Sequence, residues 1–317
     1  MMSFTNRFCF SLLFSLVFTV NTYAESVSDN EFNSETTSSS TYVPAEFLAE
    51  HLDPKKLFLR SSAAIVMDQR DGVVLFERDS NEKRPIASLT KLMTAMVILD
   101  SKLPMNEILK IKRADRDRLR GSKSRLSYGT QLTREDMLLI ALAASENRAA
   151  AALARTFPGG KKAFVAAMNI KADALGLKNT HFTDSTGLHS GNISTASELA
   201  KIVDAAYSYP LIRDMTTSGK DYVIDHRSGW KVEFFNTNRL VRRKSWDINL
   251  SKTGYIADAG YCMVMHTNIN ERPVIIVLLN SWGKYSKFGD SNRIRHWIDS
   301  AEKRAKRSYA GLASAQS

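Results

Sequence analysis

Short aliphatic runs stand near both ends of the chain, with helix-patterned sequence between them, and that distribution limits what the chain can fold into. Near the start, residues 63–67 and 73–76 are apolar runs flanking Asp68-Gln69-Arg70-Asp71-Gly72, which supplies the turn residues of a β-hairpin. Near the end, residues 249–254, 260–267 and 274–279 read as strands, the last almost purely aliphatic and suited to burial on both faces. Connections at both ends are short, so the early hairpin most simply joins the late strands in one mainly antiparallel sheet. After Pro85, the residues Leu89, Leu92, Met93, Met96, Val97 and Leu99 fall at helical spacing and predict a buried helix opening at Ser88. Further helices are predicted over 133–157, with Glu135 and Asp136 in the first turn, over 161–175 and over 290–304. Thr195 followed by Glu198 predicts a capping box opening a helix that runs to Tyr207, which makes Glu198 a cap and not a catalytic acid. The expected fold class is α/β, a mainly antiparallel sheet flanked by helices plus a helical sub-region.

Ahead of the first strand, Arg7 precedes an apolar stretch over 8–20, and the stretch closes on Ala24. About 13 apolar residues fall short of the roughly 20 that span a bilayer, so 1–24 is expected to be a cleaved secretory signal. That implies a secreted protein with no stable membrane anchor. Residues 25–42 are mostly Ser, Thr, Asn and Glu, an expected disordered spacer. One folded domain is expected over 43–305 and a flexible tail over 306–317. Of the 2 cysteines, Cys9 leaves with the signal and Cys262 stands alone in an apolar strand, so no intrachain disulfide forms. The formal charge is +11, from 44 Lys and Arg against 33 Asp and Glu. A secreted chain meets no nucleic acid routinely, so this charge suits an anionic wall or membrane surface.

Three short motifs carry chemistry. A serine hydroxyl needs a base one hydrogen bond away, and a lysine three positions on along a helix shares its face. Ser88 and Lys91 have that spacing, and burial there would lower the amine from its reference of roughly 10.4 into a useful range. The same spacing recurs at Ser80/Lys83, Ser228/Lys231, Ser281/Lys284 and Ser300/Lys303, but in polar, Gly-containing or charged settings. Ser145-Glu146-Asn147 closes the apolar run 137–144 and offers a hydroxyl and an amide at a cleft edge. Its rivals, Ser28-Asp29-Asn30 and Ser190-Gly191-Asn192, are less well placed. Lys252-Thr253-Gly254 lies in a predicted strand, where Lys and Thr can bind a carboxylate and Gly lets a substrate backbone approach as an added strand. His181, Asp184 and His189 occupy a polar loop with no recognisable ligand spacing, so neither a metal nor a cofactor is expected.

In the order S-x-x-K, S-x-N, K-T-G these motifs resemble the penicillin-binding proteins and class A β-lactamases. The run from Pro85 to Ala95, with Asp184-Ser185-Thr186-Gly187-Leu188, is similar to the D-alanyl-D-alanine peptidase family. Ser145-Glu146-Asn147-Arg148 and the segment 277–284 resemble its Gram-negative endopeptidase branch. The resemblance implies a β-lactamase-like fold and acyl transfer, with Ser88 as nucleophile, Lys91 as base and Ser145 relaying a proton to the leaving amine. Asn147, Lys252, Thr253, Gly254 and Tyr255 would hold substrate, and the backbone N–H groups of Ser88 and Tyr255 would form an oxyanion hole. Peptidoglycan peptides are the implied substrate and β-lactams the implied covalent inhibitors. D-Ala-D-Ala carboxypeptidase is the nearest alternative. A β-lactamase would need an activating glutamate, of which 176–194 shows no motif, and a non-catalytic wall-binding protein stands further off.

Overall fold

A computed structural model describes residues 42–315, with side chains described as far as residue 311. The expected signal, 1–24, and nearly all of the expected spacer lie outside the described residues. Tyr42, the last residue assigned to that spacer, already belongs to the folded body: its hydroxyl donates to Asp71 Oδ2 at 2.7 Å.

The strands in chain order are β1 (Ser61–Asp68), β2 (Val74–Arg78), β3 (Arg84–Pro85), β4 (Ile108–Lys110), β5 (Gln131–Thr133), β6 (Ile193–Ser194), β7 (Lys220–Ile224), β8 (Lys231–Phe235), β9 (Asp247–Ile256), β10 (Gly260–Ile269) and β11 (Arg272–Ser281). The helices are α1 (Ala45–Glu50), α2 (Lys91–Asp100), α3 (Arg134–Ala143), α4 (Asn147–Arg155), α5 (Gly160–Ala174), α6 (Ala196–Tyr207), α7 (Pro210–Thr217) and α8 (Ser286–Ala315). As expected, the early hairpin joins the late strands. They form a five-stranded sheet in the order β2-β1-β11-β10-β9, every pairing antiparallel. The remaining strands form three two-stranded pairs: β3 with β6, β4 with β5, and β7 with β8.

Alternation along the central strands sends side chains into two separate cores. Ala63, Ile65, Val264, Ile275, Val277 and Leu279 face the helical region of α2 to α7. Ala64, Val66, Met263, Met265, Val274, Ile276 and Leu278 face α1 and α8. Burial on both faces explains why 274–279 reads as continuously aliphatic even though its pairings are antiparallel.

The structure departs from the expected helices in four places. The helix expected over 133–157 is two helices, broken where Ser145 adopts φ +60°. The helix expected to open at Ser88 begins as a 3-10 turn, Ala87–Thr90, and becomes α-helical at Lys91. The capping box is half formed: Thr195 Oγ1 accepts from Glu198 N at 3.1 Å, but the Glu198 carboxylate turns to Asn179 N and Thr180 Oγ1 and pins the 179–180 loop. Finally, α8 runs to Ala315, so helix occupies most of the stretch expected as a tail over 306–317. The hairpin β7–β8 had no counterpart in the sequence reading.

Candidate active site

The 3-10 turn that carries Ser88 is wedged between the edge strand β9 and the 184–191 loop. Contact this close is possible because two glycines face it. A Cβ on Gly254 would lie 3.0 Å from both Ser88 N and Ala87 Cβ, and one on Gly187 only 1.9 Å from Ala87 O. Ala87 itself holds φ +48°, a conformation that strains a residue with a side chain and recurs at functional turns.

One turn further on, Lys91 is wholly buried, and its Nζ has three partners. Ser88 Oγ lies at 2.9 Å, Asn147 Oδ1 at 2.7 Å and the Thr186 carbonyl at 2.7 Å. Burial lowers the amine's pKa to about 7, against the opposing pull of the Asp184 and Glu146 carboxylates. A neutral amine has two N–H groups and one lone pair. The amide and backbone oxygens can only accept, so they take the two hydrogens, and the lone pair is left facing the Ser88 hydroxyl.

Each partner is itself held. Asn147 Nδ2 donates to Ser122 Oγ at 2.9 Å, which fixes the amide with its oxygen toward Lys91. Asn147, expected to hold substrate, therefore spends both ends of its amide inside the protein. Glu146, buried at the middle of its triplet, accepts from Arg148 N and Arg125 N, each at 3.2 Å, so it caps α4 and anchors the preceding loop. The Thr186 carbonyl is placed by Asp184, whose carboxylate accepts from Thr186 N (2.5 Å), Gly187 N (2.8 Å) and His189 N (3.0 Å). Burial alone would raise the Asp184 pKa, but these hydrogen bonds outweigh it and hold the carboxyl below its ordinary value. Sequence reading assigned Asp184 only to a polar loop; its signal was membership of the Asp-Ser-Thr-Gly-Leu run. Ser122 had no signal at all.

Ser88, Ser145, Asn147, Thr253, Gly254 and Tyr255 line a single cleft of about 460 Å³. Ser145 Oγ makes no hydrogen bond among the described residues. Lys252 is buried beside the cleft, 1% exposed, with Nζ donating to Thr253 O at 3.0 Å. Burial, reinforced by Lys91, pushes its pKa well below the ordinary lysine value. The cations that do line the cleft are Arg239, Arg242, Lys284 and Lys287. Tyr255 is 56% exposed and stacks on Tyr261, with ring centroids 4.3 Å apart. Arg120 ties the end of β9 to the 184–191 loop. It pairs with Asp258 in the β9–β10 turn at 2.5 Å and donates to Leu188 O at 3.2 Å. The rival serines are occupied elsewhere: Ser80 donates to Glu77, and Ser281 shares a hydrogen bond with Ser61. Cys262 is buried and free, its thiol pushed up to about 11 by burial, which suits packing and not nucleophilic chemistry. Among the described residues no cluster of His, Cys, Asp or Glu is arranged to hold a metal.

A sheet backed by helices, with a serine and a buried amine sharing one hydrogen bond at its edge strand, defines the chain as a serine hydrolase. The family model described as D-alanyl-D-alanine carboxypeptidase matches residues 51–283, and the chain belongs to that family. It is 47% identical over 249 residues to a protein of Pseudomonas aeruginosa named D-alanyl-D-alanine endopeptidase, covering 78% of this chain and 80% of that one. An Escherichia coli protein of the same name is 44% identical over 244 residues, covering 77% and 79%. Among solved structures, a Streptomyces DD-transpeptidase superposes with a TM-score of 0.71 at 26% identity, over 77% of this chain and 98% of that one. The expected fold class and peptidase family are thus both met.

Proposed function

We propose that this chain hydrolyses D-alanyl cross-links in peptidoglycan through a serine acyl-enzyme and that β-lactams acylate the same serine. The observation that carries the reading is the 2.9 Å contact between Ser88 Oγ and the wholly buried Lys91 Nζ. Ser88 Oγ attacks the D-alanyl carbonyl as its proton passes to Lys91 Nζ. The oxyanion is received by the backbone N–H groups of Ser88 and Tyr255, and the substrate backbone lies along the free edge of β9. Collapse of the tetrahedral intermediate breaks the amide as Ser145 gives its hydroxyl proton to the departing amine and recovers one from the Lys91 ammonium, which is left neutral again. Water then cleaves the ester, and its proton returns through Lys91. With Lys252 buried, recognition of a substrate carboxylate falls to the exposed cleft-lining cations Arg239, Arg242 and Lys284. The signal-like sequence of residues 1–24 supports a periplasmic setting for this work.

The name shared by the two relatives described above favours cross-links as substrate, and the family's description keeps terminal D-Ala removal as the second reading. The test incubates the protein with purified cross-linked muropeptide dimers and, separately, with uncross-linked pentapeptides, and follows products by chromatography. Faster loss of the dimer is expected. Intact dimers with rapid release of terminal D-Ala would make the enzyme a carboxypeptidase. Failure of labelled penicillin to attach to the protein, or its attachment to a Ser88→Ala variant, would overturn the serine mechanism itself.

A further inference from the structure

The hairpin β7–β8 stands beside the cleft and gives only one of its faces to the core, where Val223 and Phe234 are buried. On the other face the register pairs Lys220 with Phe235, Tyr222 with Glu233 and Ile224 with Lys231. There Tyr222, Ile224 and Phe235 are 44%, 44% and 47% exposed, and Trp230 at the end of the hairpin is 76% exposed. Cations flank the rings of the strip. Lys231 Nζ lies 4.2 Å from the Tyr222 centroid, Lys220 Nζ 5.5 Å from that of Phe235, and the Arg242 guanidinium 5.9 Å from that of Phe235. Arg242 also lines the catalytic cleft beside Arg239, whose guanidinium sits 5.4 Å from the ring of Tyr285, another cleft residue. An amphiphilic strip therefore runs unbroken from the cleft wall to the hairpin's end. Five residues of strand make it about 17 Å long, room for several units of an extended polymer.

We infer that this strip docks the glycan strand from which the scissile peptides hang, an inference that rests on the function proposed above. A substrate peptide lying in the cleft brings its own glycan alongside. Exposed rings suit the C–H faces of sugars, Lys220 and Lys231 can donate to hydroxyl and acetamido oxygens, and Glu233 can accept from hydroxyls. Glu233, beside Tyr222 and 3.8 Å from Lys220, keeps the strip from being the uniformly basic surface that anionic lipid attracts. The density of charge is equally unlike the core of a protein interface, which is depleted in charged residues. Sugars present both apolar faces and a polar rim, and a glycan strand repeats them along its length.

The test uses the full mature chain and peptidoglycan stripped of its stem peptides by an amidase, so that only glycan remains to be bound. Wild type should co-sediment with it, and a Tyr222→Ser/Trp230→Ser variant about tenfold more weakly. The variant should keep wild-type melting, penicillin labelling and turnover of a sugar-free cross-linked peptide, while losing rate on intact cell wall. The inference fails if wild type ignores stripped glycan, if the variant binds as well as wild type, or if the substitutions instead abolish binding to phosphatidylglycerol vesicles. Wild type that binds stripped glycan but cleaves no sugar-free cross-linked peptide would sink the proposed reaction and leave the docking surface standing.

Discussion

A lysine proposed to accept a proton cannot spend its time as an ammonium, and Lys91 is suited to the role by burial and by two neighbours that only accept. The pH dependence follows with its sign. Below about 7 the amine is protonated and cannot serve as base, so the second-order rate of acylation should rise with pH through about 7 and level off above it. Asn147→Asp replaces a neutral acceptor at 2.7 Å with a carboxylate, which favours the ammonium. Nearby opposite charge raises a lysine by roughly 1–3 units, so acylation at pH 7 should fall about tenfold or more and recover toward higher pH. Stopped-flow labelling with a fluorescent penicillin across pH 5–10 reads this directly, and an unmoved midpoint would remove Lys91 from the role of base. Ser88, Lys91 and Asn147 were legible because their spacing and setting distinguish them from the rival triplets. The Thr186 carbonyl was not, because every residue carries one and only the fold aims it.

At the scale of elements, the site depends on a 3-10 turn clamped between β9 and the 184–191 loop. Gly187 is the tightest point of that clamp, at φ +79° with Ala87 O where a side chain would begin. Gly187→Ala would therefore combine left-handed strain of roughly 1–2 kcal/mol with overpacking of roughly 1–3 kcal/mol. The turn must shift, and Ser88 moves with it. The expected result is a lower melting temperature and an acylation rate reduced at least about a hundredfold, since catalytic geometry tolerates little displacement. A variant that acylates normally would show that the contact does not position Ser88. The break at Ser145 was illegible because Ala and Leu keep their helical spacing on both sides of it. What bends the chain there is the need to place Glu146 as the buried cap of α4 and Asn147 against Lys91, and neither need can be read locally.

For the whole molecule, the second core matters as much as the first. Arg272 and Asp68 form a buried ion pair between β11 and β1, and Arg272 also donates to Val43 O and lies 3.8 Å from Glu302 on α8. It ties the first described residues and the last helix to the sheet. Arg272→Ala leaves Asp68 buried without its cation, which should cost about 3–5 kcal/mol and lower the melting temperature by on the order of 10 °C. Penicillin labelling at low temperature should persist, because Ser88 and Lys91 belong to the opposite core. Loss of labelling in a folded variant would refute that separation. Sequence alone determined the sheet, because apolar periodicity and burial on two faces are properties of each strand. It also pointed to Ser88 and Lys91 as candidate nucleophile and base and to the K-T-G strand, because an i, i+3 spacing in an apolar setting and a glycine triplet on a strand are local. Tertiary structure decided how neutral Lys91 is, where Lys252 lies and which cations reach the cleft, because burial and electrostatic neighbours are set by segments far apart in the chain.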